Sequence, residues 1–358
     1  MYSGTPSTTN LDKSDSIIFL VLLHVANTHD CSSNCLVFLT FVSEIIRSLS
    51  PSSICRYGDI TFMKLTSATL TLLVAFLTML DVKSVRAQAQ ASENKAPESS
   101  NVVTTSIHST IMSEDRSVII HLPRNYSKDA PQKYPVMYVL DGTSQDGHTT
   151  DKLSVLSDAG LVPAAIVVGL PNTRGNRERD QTPPFMRRNV DDEKSPYGVG
   201  DKFLSFIEKE LIPFIDSNYR TSGYRTLTGN SRGGLFVLYS LMEKPGLFQA
   251  WFCYSTPVWR FDNLLVNKLS EFLRASSGFN GFLYLSVGDK ETDQMTGGFT
   301  KLVDVLRKIH KKQFRWVADR TPYAVHQDNA RISTSKGLAE WGKYLTKVKN
   351  RSLGRWIH

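Results

Sequence analysis

Cysteine is scarce in this chain, above all in the part that carries regular patterns of apolar residues. Of the four cysteines in 358 residues, three precede residue 56, and Cys253 alone follows them, inside an apolar run. A disulfide framework is therefore excluded for the main part of the chain. We expect Cys253 to act as a small buried apolar residue.

The short motifs that commonly bind metals and nucleotides are also missing. The chain has no His-Glu-x-x-His, no Cys-x-x-Cys and no glycine-rich loop of the Walker type. It also lacks internal repeats and low-complexity tracts. We therefore expect a single domain over residues 101–348 that works with neither a metal nor a cofactor.

An excess of acidic residues is absent, since the formal net charge is +8. The first 89 residues are balanced, with six basic and six acidic side chains, so the whole excess lies further along the chain. Aromatic residues do not interleave with these charges as a surface for stacking bases requires. We expect solvated helix faces and a basic tail at 349–358, and no nucleic-acid partner.

Apolar runs long enough to span a membrane comfortably are lacking too. Residues 63–89 combine a start methionine, a basic Lys64, an apolar stretch from Leu70 to Leu80 and small-residue cleavage sites, which is typical of a secretory signal peptide. The alternative is an uncleaved N-terminal anchor. We expect a periplasmic or secreted protein that starts at Met63, with residues 1–62 an upstream mis-start or a disordered preamble and 90–100 a linker.

Continuous apolar runs alternate with segments of helical periodicity after residue 115. Strands of this kind are buried on both faces, so the pattern predicts an α/β fold with a mostly parallel sheet and helices on both sides. We expect strands at 117–121, 135–140, 164–170, 224–227, 249–254, 282–287 and 314–317, and helices at 200–216, 234–242, 263–273, 302–309 and 332–345.

The most informative stretch is Gly229-Asn230-Ser231-Arg232-Gly233, between an apolar strand and a helix. This is the Gly-x-Ser-x-Gly pattern of a nucleophile elbow, in which a strained turn exposes the serine hydroxyl. We expect the flanking glycines to be required because a Cβ atom would collide at so tight a bend. The alternative is a structural glycine-rich turn.

With these residues in view, the chain resembles the Putative esterase family of the α/β-hydrolases. That family includes enterochelin esterases, S-formylglutathione hydrolases, feruloyl esterases and mycolyltransferases, and the likeness is greatest to the enterochelin-esterase-like members. Two positions depart from the family, Asn230 where it often has His and Arg232 where it usually has an apolar residue. The resemblance covers nearly all of residues 115–348 and rests on Tyr134–Gly142, Val168–Thr173, Arg177–Pro183, Phe203–Tyr219, Gly229–Leu235, Ser255–Trp259 and Ser286–Glu291.

The resemblance implies a triad in the chain order serine, acid, histidine. His326 lies in the loop after the last expected strand, where the base belongs, whereas His310 lies among lysines and His358 ends the chain. The acid should follow the strand 282–287, where Asp289, Glu291 and Asp293 all qualify. The family pattern of glycine, two residues and an acid selects Glu291, with Asp289 as runner-up.

Stabilisation of a developing oxyanion needs two N–H donors. The resemblance implies the backbone N–H of Arg232 and that of Thr143, in the loop after the strand 135–140. Arg177 and Trp259 are candidates to line the substrate pocket, with ordinary packing as the alternative. His148 lies near the same loop and is a further candidate for substrate contact.

These residues together predict a serine ester hydrolase that forms an acyl-enzyme and acts on a small-molecule ester. The resemblance and the two arginines Arg177 and Arg232 favour siderophore-type or other anionic polyesters. An acyltransferase resembling the mycolyltransferases, or a feruloyl or acetyl sugar esterase, fits the same scaffold. A non-catalytic binding protein on a hydrolase fold is the alternative from another class.

Overall fold

The structure is a computed structural model that describes residues 54–57, 60–63 and 101–351, apart from Arg174. Apart from Met63, the expected signal peptide at 63–89 lies outside the described residues, as do the linker at 90–100, most of the preamble and the end of the basic tail. The chain divides into two compact units, Met1–Pro97 and Glu98–His358. In the first, β1 (Ile54–Tyr57) and β2 (Ile60–Met63) form an antiparallel hairpin.

The second unit is built on one eight-stranded sheet with the order β10-β9-β8-β7-β5-β6-β4-β3. Its neighbours pair in parallel from β10 to β6, whereas β4 pairs antiparallel with both β6 and β3. The strands are β3 (Val102–Ser109), β4 (Glu114–His121), β5 (Tyr134–Gly142), β6 (Ile166–Pro171), β7 (Thr221–Asn230), β8 (Ala250–Tyr254), β9 (Gly281–Gly288) and β10 (Phe314–Thr321).

Helices cover both faces of this sheet, as the continuous apolar strands predict. The helices are α1 (Asp146–Asp158), α2 (Arg177–Asp180), α3 (Gly200–Phe206), a π-helical turn (Ile207–Leu211), α4 (Ile212–Asn218), α5 (Arg232–Glu243), α6 (Arg260–Ala275), α7 (Asp293–Arg307) and α8 (Asn329–Arg351).

Two buried apolar clusters separate the helices from the sheet. On one face, Leu153 of α1 and Trp341 of α8 pack with strand residues such as Phe252. On the other face, residues of α3, α5 and α6 join a larger cluster with the alternate side chains of the same strands. The predicted position of Cys253 inside an apolar core is confirmed, since its side chain is buried with a free thiol.

Sequence patterns missed three elements of this unit, β3, α1 and the four-residue α2. Most residues of β3 are exposed or half-buried because it is an edge strand, so it shows no continuous apolar run. Helix α1 buries only Asp146, Thr149 and Leu153, so it lacks an apolar stripe at helical spacing. None of the helices within residues 101–351 is long and apolar enough to cross a membrane.

Candidate active site

Ser231 lies at a sharp turn between β7 and α5. Its backbone has φ 54° and ψ −119°, a conformation that residues other than glycine rarely adopt. Its N–H donates to the carbonyl of Tyr254 on β8 at 2.8 Å, and its own carbonyl accepts from the N–H of Gly234 at 2.9 Å. These bonds hold the strained residue in place.

The glycines around this turn are needed for unequal reasons. A Cβ on Gly229 would collide with the backbone of Gly233 and lie 2.9 Å from Cγ2 of Val237. A Cβ on Gly233 would meet nothing nearer than 3.4 Å, which is ordinary van der Waals contact. The steric expectation therefore holds for Gly229, whereas the second crowded position is Gly234, against Thr256, rather than Gly233.

Ser231, His326 and Glu291 form a hydrogen-bonded chain across three strand ends. Nε2 of His326 lies 2.9 Å from Oγ of Ser231, and Nδ1 lies 2.8 Å from Oε2 of Glu291. The imidazole is half-buried and the Glu291 side chain is fully buried, with 37% and 0% of their surfaces exposed. When Nδ1 carries a proton toward Glu291, Nε2 can accept one from the serine hydroxyl.

Glu291 is held by donors on both carboxylate oxygens. Oε1 accepts from the Ser255 hydroxyl at 2.6 Å and from the N–H of Gly288 at 2.7 Å, while Oε2 faces His326. Burial opposes ionisation of this carboxyl, but the hydrogen bonds from His326, Ser255 and Gly288 outweigh it, and the pKa of Glu291 lies below its usual value. Glu291 is therefore ionised at neutral pH.

Ser255 and Asn329 form a polar layer behind this carboxylate, which sequence analysis missed. The Asn329 amide donates to the hydroxyls of Ser255 at 2.9 Å and Ser286 at 3.0 Å. Ser255 has a positive φ of 47° directly after β8, and its N–H bonds the Ser286 carbonyl at 2.8 Å. The signal that could have identified Ser255 is its place at the carboxyl end of a buried strand.

The other two acid candidates lie apart from His326. Asp289 and Asp293 are exposed, and neither carboxylate forms a hydrogen bond with the imidazole. Asp293 instead lies in the first turn of α7, where an acidic side chain suits the helix dipole. Of the three carboxylates that follow β9, the structure brings only Glu291 to His326.

The two expected oxyanion donors differ in their surroundings. Arg232 is the first residue of α5, and its N–H has no acceptor among the residues that the structure describes. The N–H of Thr143 donates at 2.8 Å to Oδ1 of Asp146, whose other oxygen bonds His121. Asp146 is the first residue of α1, and its carboxylate accepts this N–H from the loop just before the helix, which accounts for the difference.

Arg177 lies beside the elbow, but its guanidinium forms an ion pair with Asp141. Its Nε and Nη2 each bond one carboxylate oxygen of the buried Asp141 at 2.7 Å, and Nη2 also reaches the carbonyl of Asn230 at 3.2 Å. Asn172 and Gln181 complete the partners of Asp141. Arg177 therefore joins the end of β5 to the elbow, and its guanidinium is not a free positive charge.

Trp259 and His148 are held by neighbours within their own part of the fold. The indole Nε1 of Trp259 lies 3.2 Å from the sulfur of Met295 at the start of α7. Nε2 of His148 lies 2.9 Å from the side-chain oxygen of Gln145. Burial and the charge of Lys152 lower the pKa of His148 to about 4, so its ring is neutral at neutral pH.

Strained residues cluster where the sheet strands end near this site. Asp141, Ser231 and Ser255 all have positive φ: Asp141 is the second-last residue of β5, Ser231 directly follows β7, and Ser255 directly follows β8. Ligands of open α/β sheets bind at the carboxyl ends of the strands. Within residues 101–351, apart from Arg174, no group of three or more His, Cys, Asp or Glu side chains could hold a metal ion.

The family model that this chain matches and two of the relatives to which it is similar are described as esterases. Residues 109–349 match the family described as Putative esterase. The chain is similar to the Ferri-bacillibactin esterase BesA of Bacillus subtilis (strain 168), with 28% identity over 195 residues that cover 51% of this chain and 68% of that protein. It is also similar to the Siderophore enterobactin esterase of Emericella nidulans, with 31% identity over 176 residues that cover 43% of this chain and 57% of that protein.

Among solved structures, the fold resembles an IroE-like serine hydrolase from Shewanella oneidensis. The two share 29% sequence identity with a TM-score of 0.62, over 68% of this chain and 80% of that one. Together with the mostly parallel sheet and its two helical layers, this likeness confirms the predicted α/β-hydrolase fold.

Proposed function

This chain belongs to the Putative esterase family and is an ester-hydrolysing enzyme, and on that premise we propose that Ser231 is its nucleophile, His326 its general base and Glu291 the acid that orients the imidazole. The observation that carries the proposal is the chain of 2.9 Å and 2.8 Å hydrogen bonds through His326. A serine hydroxyl is a weak nucleophile unless such a base accepts its proton.

In the proposed reaction, Oγ of Ser231 attacks the ester carbonyl carbon while its proton passes to Nε2 of His326. The tetrahedral intermediate then breaks its bond to the alcohol, which leaves with that proton, and the acyl group remains on Ser231. A water molecule repeats the sequence, giving its proton to His326 and releasing the acid. The buried, ionised Glu291 stabilises the imidazolium that forms in each half.

The negative charge on the carbonyl oxygen needs N–H donors that are already oriented. The backbone N–H of Arg232 is proposed as one of them, because it begins α5 directly after Ser231. Thr143 remains the proposed second donor. Its N–H must then leave Asp146 or be shared between the carboxylate and the oxyanion.

For the substrate we propose a siderophore-type ester or a related polyester, met outside the cytoplasm. Support comes from relatives named for ferri-bacillibactin and enterobactin. The proposed location rests on the signal-like pattern at residues 63–89. Of the two arginines that favoured anionic esters in sequence analysis, Arg177 is matched by Asp141, so Arg232 carries that argument.

A hydrolysis screen of the purified protein tests this proposal. Trilactone siderophores, feruloyl and acetyl sugars and short p-nitrophenyl esters are compared side by side, each with the Ser231→Ala variant as a matched blank. We expect turnover of the trilactones above the other classes, and none by the variant. Turnover confined to sugar esters would contradict the substrate, and equal turnover by Ser231→Ala would contradict the nucleophile.

A further inference from the structure

Two arginine side chains meet at one carbonyl oxygen next to the elbow. Nη1 of Arg232 donates to the carbonyl of Arg188 at 2.8 Å, and Nη2 of Arg260 donates to the same oxygen at 3.0 Å. Arg188 lies in the long connection between β6 and α3. Since both guanidinium groups approach one atom, two positive charges lie close together with a single neutral acceptor between them.

Arg260 differs from the other arginine that is fully buried within the described residues. Arg116 is 3% exposed and has carboxylate oxygens of Glu114 and Asp180 at 2.6 and 2.7 Å. Arg260 is 6% exposed, and no carboxylate among the residues that the structure describes lies within 4.0 Å of it. Buried charges in proteins are normally paired, so Arg260, which contacts the Arg188 carbonyl and lies 5.8 Å from the centre of the Phe261 ring, lacks the anionic partner that its burial calls for.

One donor of this pair is buried and has no partner within the described ranges. Nε of Arg260 is buried without a hydrogen-bond acceptor in the described part of the chain. Arg232 bonds the Thr182 hydroxyl at 2.8 Å besides the Arg188 carbonyl. The carboxylate nearest to it, from the half-exposed Glu178, is 3.8 Å from Nε, which is too far for a hydrogen bond.

Both guanidinium groups stay charged at neutral pH despite this crowding. Burial and the positive charge of Arg260 lower the pKa of Arg232 to about 10. Burial also lowers the pKa of Arg260, with the exposed Asp191 acting in the opposite direction. A negative ligand between the two side chains would relieve the repulsion and supply the missing acceptor.

The position of the pair ties it to the proposed chemistry. Arg232 follows Ser231 directly, and Arg260 begins α6 after the short segment 255–259 that follows β8, the strand that pairs with β7. Both side chains therefore lie at the carboxyl edge of the sheet, on the segments that flank the nucleophile. The next three residues, Phe261, Asp262 and Asn263, have positive φ of 51°, 55° and 61°, strain of the kind that proteins retain at ligand clamps.

We propose that Arg232 and Arg260 form a subsite for an anionic oxygen group, such as a carboxylate, carried by the ester substrate. This inference rests on the proposed serine esterase function and adds the charge of the substrate to it. The group binds between the two guanidiniums by charge-assisted hydrogen bonds, while Arg177 takes no part because Asp141 holds it.

Two pairs of synthetic esters, each an anion and its neutral methyl ester, test the subsite. Mono-4-nitrophenyl glutarate is compared with its methyl ester, and 4-acetoxybenzoate with its methyl ester, so that a carboxylate is tested on the acyl and on the alcohol side. We expect kcat/KM in at least one pair to favour the anion about tenfold at low salt. The ratio should fall toward one in Arg260→Gln and in Arg232→Gln, and Arg260→Lys should keep part of it.

Further variants separate this subsite from the general charge of the protein. Glu178→Gln removes the nearest carboxylate and should raise the preference for the anion. Arg307→Gln, on an exposed pair with Asp304, should leave the ratio as in the wild type. Ratios near one in both wild-type pairs, or an unchanged ratio in Arg260→Gln, would overturn the subsite while leaving the esterase in place.

A binding measurement tests the subsite even if the protein hydrolyses none of these esters. In the Ser231→Ala background, calorimetry with glutarate and with 4-hydroxybenzoate reports anion binding without turnover. We expect at least one of the two to bind, and its dissociation constant to rise about tenfold when Arg260→Gln is added. Binding of neither anion, or a dissociation constant that Arg260→Gln leaves unchanged, would overturn the subsite.

Discussion

The Ser255 hydroxyl donates a 2.6 Å hydrogen bond to Oε1 of Glu291, the carboxylate oxygen that does not face His326. Glu291 therefore receives hydrogen bonds from both sides, and its orientation does not depend on the imidazole alone. Asn329 in turn fixes the Ser255 hydroxyl at 2.9 Å. The acid of the proposed triad is positioned by a serine that is distant from it in sequence.

Ser255→Ala should lower stability most at neutral pH, where Glu291 is ionised, and progressively less as the pH falls. The folded-state pKa of Glu291 lies below its unfolded value, so its contribution to stability is present above the unfolded pKa and is lost as pH falls through the folded pKa. Removing one donor raises the folded pKa and costs about 1 to 3 kcal/mol at neutral pH. Denaturant unfolding between pH 3 and 7 measures this.

Ser240→Ala is the matched control, since that serine is buried and its hydroxyl donates to a neutral acceptor, the Val237 carbonyl. Its stability should fall by a similar amount at every pH, whereas the stability lost in Ser255→Ala should depend on pH. Parallel pH profiles for the two variants would show that Ser255 does not hold the ionised form of Glu291.

Glu291→Gln should lower kcat by roughly 10² to 10⁴ and leave the protein folded, because the neutral amide no longer stabilises the imidazolium. Asp289→Asn is the comparison, since Asp289 follows the same strand but is exposed. It should retain most of the activity. A large loss in Asp289→Asn together with a small one in Glu291→Gln would mean that the acid is Asp289.

Gly229→Ala should disrupt the elbow, whereas Gly233→Ala should be tolerated. The new methyl group at 229 meets the backbone of Gly233, which cannot move without breaking the turn, so we expect a loss of about 3 kcal/mol or failure to fold. At 233 the contacts are ordinary and the residue is helical, where alanine is favoured over glycine, so the change should leave stability unchanged or raise it by up to about 1 kcal/mol. Thermal unfolding of both variants measures this, and equal losses would contradict the packing described.

Asp141→Asn should destabilise the fold by about 3 kcal/mol, because it leaves the largely buried Arg177 without its carboxylate. Burial opposes ionisation of Asp141, but hydrogen bonds and charge from Arg177 lower its pKa, so the pair contributes least in acid. Asp304→Asn, which breaks an exposed pair, should cost under about 0.5 kcal/mol. Denaturant unfolding at pH 7 measures both changes. A free energy of unfolding for Asp141→Asn equal to that of the wild type would show that the Asp141–Arg177 pair does not stabilise the fold.

Much of the fold follows from local patterns in the sequence. Buried parallel strands such as β8 and β9 are continuous apolar runs, so they can be recognised without any knowledge of their neighbours. The edge strand β3 and the helix α1 are less apolar than these strands because most of their residues are not buried. Their existence depends on tertiary pairing, which a local pattern does not report.

The candidate site divides in the same way. Ser231 could be predicted from a five-residue motif, and His326 and Glu291 from their order after β7 and the family pattern. The pairing of Arg177 with Asp141 joins residues 36 positions apart, and the contact of Arg260 with Arg188 joins residues 72 apart. Such contacts depend on the path of the connection between β6 and α3, so sequence analysis took Arg177 for a free charge.

The central claim, that His326 activates Ser231 as a nucleophile, is tested most directly by covalent labelling with a fluorophosphonate probe. The account predicts one adduct on the wild-type protein, mapped by mass spectrometry to the peptide that contains Ser231. It predicts no adduct on Ser231→Ala and labelling of His326→Ala slowed by roughly 10³ or more, because the hydroxyl then lacks its base. An adduct on another residue, or labelling of His326→Ala at the wild-type rate, would contradict it.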